Sequence, residues 1–235
     1  MKIEVLRSAA EVAERGASLL EDEVARNPRL VVALPTGRTP IAMYRLLTKR
    51  RAQGRFDFKA ATTFNLDEVL LPKAMPQTFF RFMVKHVWEP LDVAEERRFI
   101  PDGEAADPAA ECVRYEAAIA KAGGLDMVFL GIGADGHVAY NLPRQVKPRT
   151  HVITLDDATF ATLGGDVPGP VRGITMGVET ILDAPKLVLL ATGGSKAEAL
   201  RRMRDDLISA EWPCTSFRDH PGLVVLADEA AASQL

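Results

Sequence analysis

The stretch LDMVFLGIGADGHVAYNLP, residues 125–143, decides between two folds. Its apolar run ends in Gly131, Gly133 and Gly136, spaced G-x-G-x-x-G. VITLDD, with Asp156, follows about twenty residues on, which completes the outline of a dinucleotide-binding fingerprint. That fingerprint needs a helix starting at its glycines. Here the chain continues HVAYNLPRQVKPRT, broken by Pro143 and Pro148 and without a helical stripe. A proline inside a helix costs about 3 kcal/mol. The pyrophosphate arrangement therefore fails, and Asp156 loses its meaning as a ribose ligand. What remains is a buried strand followed by an irregular loop that carries Asp135 and His137.

Similar strands recur along the chain. IEVL at 3, RLVVAL at 29, ATTFNL at 61, RRFI at 97, DMVFLG at 126, HVITL at 151, KLVLLA at 186 and LVVLA at 223 all read as strands. Several are apolar throughout, as in parallel sheets covered on both faces. Helical patterns lie between them. Ser8 with Glu11, and Ser195 with Glu198, have capping-box spacing; Thr39-Pro40 and Asp107-Pro108 read as an N-cap followed by proline at the first helical position. The alternation predicts an α/β fold: three layers, Rossmann-like, around a mainly parallel sheet, as one domain over residues 1–235.

Three of the strands end in glycine turns: VVALPTGRTP, VFLGIGADGH and VLLATGGSK. Parallel strands share a carboxyl edge, where ligands bind. The first and third turns lead into helices, whose N-termini attract anions. Thr36, Thr39 and Ser195 supply hydroxyls there, and Arg38 and Lys196 supply charge. Two readings stand: a phosphate cradle and ordinary helix capping. FNLDEV adds Asp67 and Glu68 near the same edge; because neighbours alternate along a strand, one of the two can face the crevice. Asp67 reads as an active acid or as a turn cap. His137 is one of four histidines, and histidine is suited to proton exchange near neutral pH, with Asp135 close by to orient it. A solvated loop histidine is the alternative.

Composition narrows the classes. The chain has 235 residues, 47% hydrophobic and 26% charged, with formal net charge -3. That balance gives no electrostatic footprint for nucleic acid. The basic run LTKRRAQGR, residues 47–55, reads as the solvated end of a helix. Cys112 and Cys214 fit no metal spacing and read as reduced thiols, which predicts a cytoplasmic protein. No apolar stretch is long enough to span a membrane, and no signal peptide is expected.

Six segments in order, LPTGRTP, FNLDEV, GIGADGHVAYNLP, TMGVETILDA, ATGGSKAEAL and WPCTSFRDHPGLVVLADEAA, make the chain resemble the glucosamine-6-phosphate deaminase/isomerase and 6-phosphogluconolactonase superfamily. TMGV…ILDA and the AYN after His137 resemble the deaminase branch. The resemblance implies a Rossmann-like fold with no cofactor and no obligatory metal. It implies an aldose–ketose isomerase and deaminase acting on an amino-sugar 6-phosphate through an enediol or enolamine. The alternative is a lactone hydrolase. Asp67 matches the base that moves a proton between C1 and C2, His137 the group that opens the pyranose ring, and Asp135 its partner. Thr36, Gly37, Thr39 and Lys196 match sugar-phosphate positions, and Gly136 and Arg38 are placed with them. The partner implied is a small sugar phosphate; a homo-oligomer is left open. The chain also departs from the pattern. Leu142 stands where deaminases have a glutamate, Arg38 replaces a glycine, and Val69 a tyrosine. The phosphate arginine is missing from its segment, which offers only Arg172, and His151 and Ile153 stand where some deaminases have the basic residues of allosteric activation, so that regulation is not implied. Glu68 and Asp166 are the acids available to fill the place of the missing glutamate.

Overall fold

A computed structural model describes residues 1–155 and 170–235; Asp156 and Asp166 lie outside the described residues. The strands are β1 (Lys2–Leu6), β2 (Val31–Leu34), β3 (Thr62–Asn65), β4 (Asp67–Val69), β5 (Arg98–Phe99), β6 (Met127–Gly131), β7 (His151–Thr154), β8 (Arg172–Thr175), β9 (Lys186–Ala191) and β10 (Leu223–Asp228). The helices are α1 (Ala9–Arg26), α2 (Ile41–Ala52), α3 (Phe79–Met83), α4 (Pro108–Lys121), α5 (Val178–Leu182) and α6 (Ala197–Asp205).

Seven strands form one sheet in the order β1-β10-β9-β6-β2-β3-β5, and every neighbouring pair is parallel. Alternate side chains feed opposite layers. Val31 and Ala33, Val128 and Leu130, and Leu187 and Leu189 pack with Ile119 of α4, Ile181 of α5 and Leu200 of α6. Val32 and Leu34, Met127 and Phe129, and Val188 and Leu190 pack with Leu20 of α1 and Tyr44 of α2. Period-two alternation between two apolar layers explains why these strands read as hydrophobic throughout. The expected three-layer α/β fold is the one observed.

The order of the strands places the crevice. From β2 the chain moves outward to β3 and β5; from β6 it goes the other way, to β9 and β10. Neighbouring strands with diverging exits form a switch point, where a crevice opens beyond the carboxyl ends. The exits of β9, β6, β2 and β3 lie side by side along that edge.

A second sheet was not foreseen. HVITL forms a strand, but β7 joins a separate antiparallel sheet, β4-β8-β7. β4 is only three residues and begins with two acids, and β8 contains Gly173; such residues weigh against strands. Gly173 is needed for the approach, since a Cβ there would lie 2.9 Å from Glu68 O. The sheet closes over a small apolar cluster that includes Val69, Tyr140, Leu142 and Ile153.

The helix starts divide. Ser8 Oγ accepts from Glu11 N at 3.3 Å, and Asp107 Oδ1 accepts from Ala109 N and Ala110 N at 2.9 and 3.1 Å. Glu11 returns its bond to Arg7 N, not to Ser8 N. Thr39 and Ser195 do not cap. Pro40 and Lys196 occupy the N-cap positions of α2 and α6 in right-handed helical backbone, without side-chain bonds. A cap needs extended backbone, and Ser195 sits inside a tight turn, Gly194–Lys196. No helix among the described residues is long and apolar enough to cross a membrane.

Candidate active site

The β2 and β9 exits enclose a cleft of ≈ 580 Å³ lined by Arg38, Thr39, Thr192, Ser195 and Lys196, with Ala9, Ala10 and Ala42 as its apolar wall. The sequence placed four of those polar residues together. Thr36 and Gly37 belong to the same β2 loop, and Gly37 has φ 97, a conformation open to glycine. Among the described residues, the backbone N–H groups of Thr36, Gly37, Gly194 and Ser195 donate to no protein acceptor. Free N–H groups beside two cations and three hydroxyls are the donor set that suits an anion. Burial lowers the Lys196 pKa; Asp135 acts against that shift and Arg38 adds to it. Lys196 is therefore the electrostatic link between the cradle and the β6 loop.

That loop answers the question posed by its glycines. Residues 136–155 contain no helix. Gly133 N donates to His137 O at 2.9 Å and Gly136 N to Gly133 O at 3.1 Å, so the chain curls on itself. His137 Nδ1 lies 2.7 Å from Asp135 Oδ1, and His137 N lies 3.2 Å from the same oxygen. Burial would raise the Asp135 pKa, but the His137 ring and N–H outweigh it and hold the carboxyl below its usual range. Gly133 is what leaves room: a Cβ there would collide with both Asp135 Oδ1 and His137 Nδ1. Gly136 has its N–H bonded to Gly133, its carbonyl to Cys214 N at 2.8 Å, and Trp212 against its Cα. It shapes the turn, with no backbone donor left for a phosphate.

The β3 exit passes through Leu66 into β4, which holds both acids. Asp67 is 6% exposed, and among the described residues its carboxyl has no hydrogen-bond partner. Burial, and then the charge of Glu68, raise its pKa to about 8. Glu68 has a different task. Its carboxylate accepts from Val69 N and Phe79 N at 2.8 Å and from Phe80 N at 2.7 Å, tying β4 to the start of α3. Burial raises Glu68 to about 7 against the pull of those N–H groups. Glu68 is thus engaged away from His137 and does not replace the missing glutamate. Leu142 is buried among apolar neighbours of the small sheet. Arg172 stands exposed on β8.

Three residues of this region escaped the sequence reading. Tyr140 is buried beside the acids; burial raises its pKa, and Asp67 and Glu68 add to the shift. Thr175 lies between Asp67 and His151 in register and accepts Tyr140 N at 3.0 Å. Asp228, the last residue of β10, bonds the β9 loop. An acid closing a strand on the functional edge was the available signal for it.

Residues 6–226 match the family described as glucosamine-6-phosphate isomerases/6-phosphogluconolactonase. The chain belongs to this family. It is 42% identical to a glucosamine-6-phosphate deaminase of Shewanella loihica, with 100% of this chain and 90% of that protein covered. It is 41% identical to one of Cellvibrio japonicus, covering 100% and 92%. A solved monomeric glucosamine-6-phosphate deaminase superposes with TM-score 0.94 at 34% identity, each chain covered completely. A 6-phosphogluconolactonase of Trypanosoma cruzi shares the fold, with TM-score 0.81 at 22% identity, covering 100% and 96%. The resemblance of the six segments and the fold they implied are thereby confirmed for this isomerase/lactonase family member.

Proposed function

We propose that the protein is a glucosamine-6-phosphate deaminase that converts glucosamine 6-phosphate and water into fructose 6-phosphate and ammonia. The β2 and β9 loops hold the phosphate through Thr36, Gly37, Arg38, Thr39 and Lys196. His137, oriented by Asp135, moves the anomeric hydroxyl proton to the ring oxygen and opens the ring. Asp67 takes the C2 proton, leaving an enolamine, and returns it to C1. The resulting C2 iminium adds water and expels ammonia. On this reading residues 1–235 act as one catalytic domain, in the cytoplasm, on a small sugar phosphate.

The observation that carries the proposal is Asp67. Proton abstraction from carbon needs a positioned base whose pKa lies near the working pH, and burial raises a carboxyl toward that range. Asp67 is buried, unbonded among the described residues, and raised to about 8. Lactone hydrolysis needs no carbon base. The hydrolase alternative draws on Leu142, which leaves Asp135 as the acid in contact with His137 among the described residues. A panel of sugar 6-phosphates and sugar lactones separates the two, with ammonia, ketose and acid release followed independently. Ammonia and ketose in equal amounts from glucosamine 6-phosphate are expected; acid release from lactones without ammonia would overturn the proposal.

A further inference from the structure

Asp228 closes β10 on the functional edge and is 7% exposed. Among the described residues it has no cationic partner within salt-bridge distance, and backbone N–H groups hold its carboxylate. Gly193 N lies 3.0 Å from each of its two oxygens, and Ala231 N lies 2.8 Å from Oδ1. The carboxylate therefore spans two segments, the β9 exit and the C-terminal turn. Its grip on the β9 exit falls on the one residue that sets the path of that loop. Gly193 has φ 87 and ψ 149 and stands as the N-cap of the Gly194–Lys196 turn, and its carbonyl accepts Lys196 N at 3.1 Å. Neither that turn nor α6 has a side-chain cap of its own. An ionised carboxylate on backbone N–H is among the stronger hydrogen bonds a loop can receive. By accepting from Gly193, it leaves Gly194 N and Ser195 N as the donors turned over to a ligand.

We propose that Asp228 is a positioning residue that sets the geometry of the anion loop 192–196, and with it the place of Lys196 and the two free N–H groups. The proposal rests on the reading of that loop as the sugar-phosphate site. It acts on binding of the phosphoryl group, not on the proton transfers at Asp67 and His137. Asp228→Ala should thus raise KM for glucosamine 6-phosphate by about tenfold or more and change kcat less. Asp228→Asn, which keeps one acceptor oxygen on Gly193 N, should fall between the wild type and the alanine variant.

The decisive measurement is inhibition by inorganic phosphate, alongside thermal melting of each variant. The phosphate Ki should rise in step with KM. In a double-mutant cycle with Lys196→Met, the Asp228 substitution should lose most of its effect, because coupled residues are not additive. Gly193→Ala supplies an independent route: its Cβ would meet nothing within 4 Å, so only the positive φ is penalised. It should reproduce the rise in KM and Ki with Asp228 untouched, including if Asp228 variants melt too low to assay. An unchanged phosphate Ki in folded Asp228→Asn and in Gly193→Ala, or full additivity with Lys196→Met, overturns the proposal. A wild type that neither binds phosphate nor turns over sugar phosphates would instead remove the functional reading beneath it.

Discussion

The seven-stranded sheet and the three-stranded sheet are both buried, but they bury different chemistry. Every residue of β2 is buried and apolar, and β6 and β9 place their side chains in two continuous hydrophobic layers. Every residue of β4 is buried too, yet two of the three are acids, and Thr175 and His151 of β8 and β7 join them. The large sheet is stabilised by what it hides. The small one holds Asp67 with no partner for its carboxyl among the described residues, at a cost that the rest of the fold offsets. Buried ionisable groups of that kind are expected where chemistry needs them. The difference is testable: substitutions in the large sheet should lower stability first, and substitutions at the acid row should lower activity first.

The sharpest separation is Asp67→Asn. Loss of a positioned base should cut turnover and C2 proton exchange by about 10²–10⁴-fold, with no loss of stability. The linkage sign is favourable. Asp67 titrates near 8 in the folded chain against an ordinary 3.8, so folding disfavours its ionised form. Its contribution to stability is complete below the unfolded value and is lost as pH rises through about 8. The Tm advantage of Asp67→Asn over wild type should therefore grow between pH 4 and pH 8. By the same titration, wild-type kcat/KM should fall as pH drops below about 8, because the proposed base acts as a carboxylate. An Asp67→Asn variant that keeps exchange at C2 would erase the distinction between the two sheets.

Leu142→Glu tests the boundary between them. The family resemblance offers a glutamate here, but the side chain would enter the cluster of Val69, Tyr140 and Ile153. Loss of apolar packing together with burial of a polar group should destabilise by about 3 kcal/mol or more. Urea unfolding with and without the substitution measures this. A variant as stable as wild type, and faster, would mean that the cluster can open toward His137.

The legibility of the two regions follows the same physics. The main strands were readable because continuous apolar runs bounded by turns have few other uses. β4 and β8 were not, because Asp, Glu and Gly argue locally against strands and only tertiary contacts stabilise them there. Ser195 and Thr39 were identified for their place and misread for their role: they stand beside the cleft but cap nothing. Asp135 and His137 were legible as a pair by proximity. The need for Gly133 beneath them was not, since only three dimensions bring its Cα against the ring. Gly133→Ala should therefore lower kcat by about tenfold to a hundredfold by displacing the pair, while far-UV circular dichroism stays native. Unchanged kcat would show that the pair tolerates displacement and is not the ring-opening device.

Arg38→Gly is expected to have the smallest effect, and its size follows from exposure. Arg38 lines the cleft opposite Lys196 but remains solvent-facing, whereas Lys196 is half-buried. A guanidinium can grip phosphate bidentately, yet water and salt screen an exposed charge. Removing it should raise KM for glucosamine 6-phosphate by roughly five- to tenfold at low ionic strength, with kcat nearly unchanged. The difference from wild type should shrink as salt is raised toward about 0.5 M, where screening acts within a few ångströms. The Asp67→Asn defect should not shrink under the same titration, because it is the loss of a buried proton acceptor and not of a solvent-screened charge. Parallel salt titrations of KM for the first variant and of kcat for the second therefore read the contrast between an open cradle and a closed acid site directly. An Arg38→Gly variant with unchanged KM at low salt would take Arg38 out of the cradle and leave Lys196 as the cation that binds.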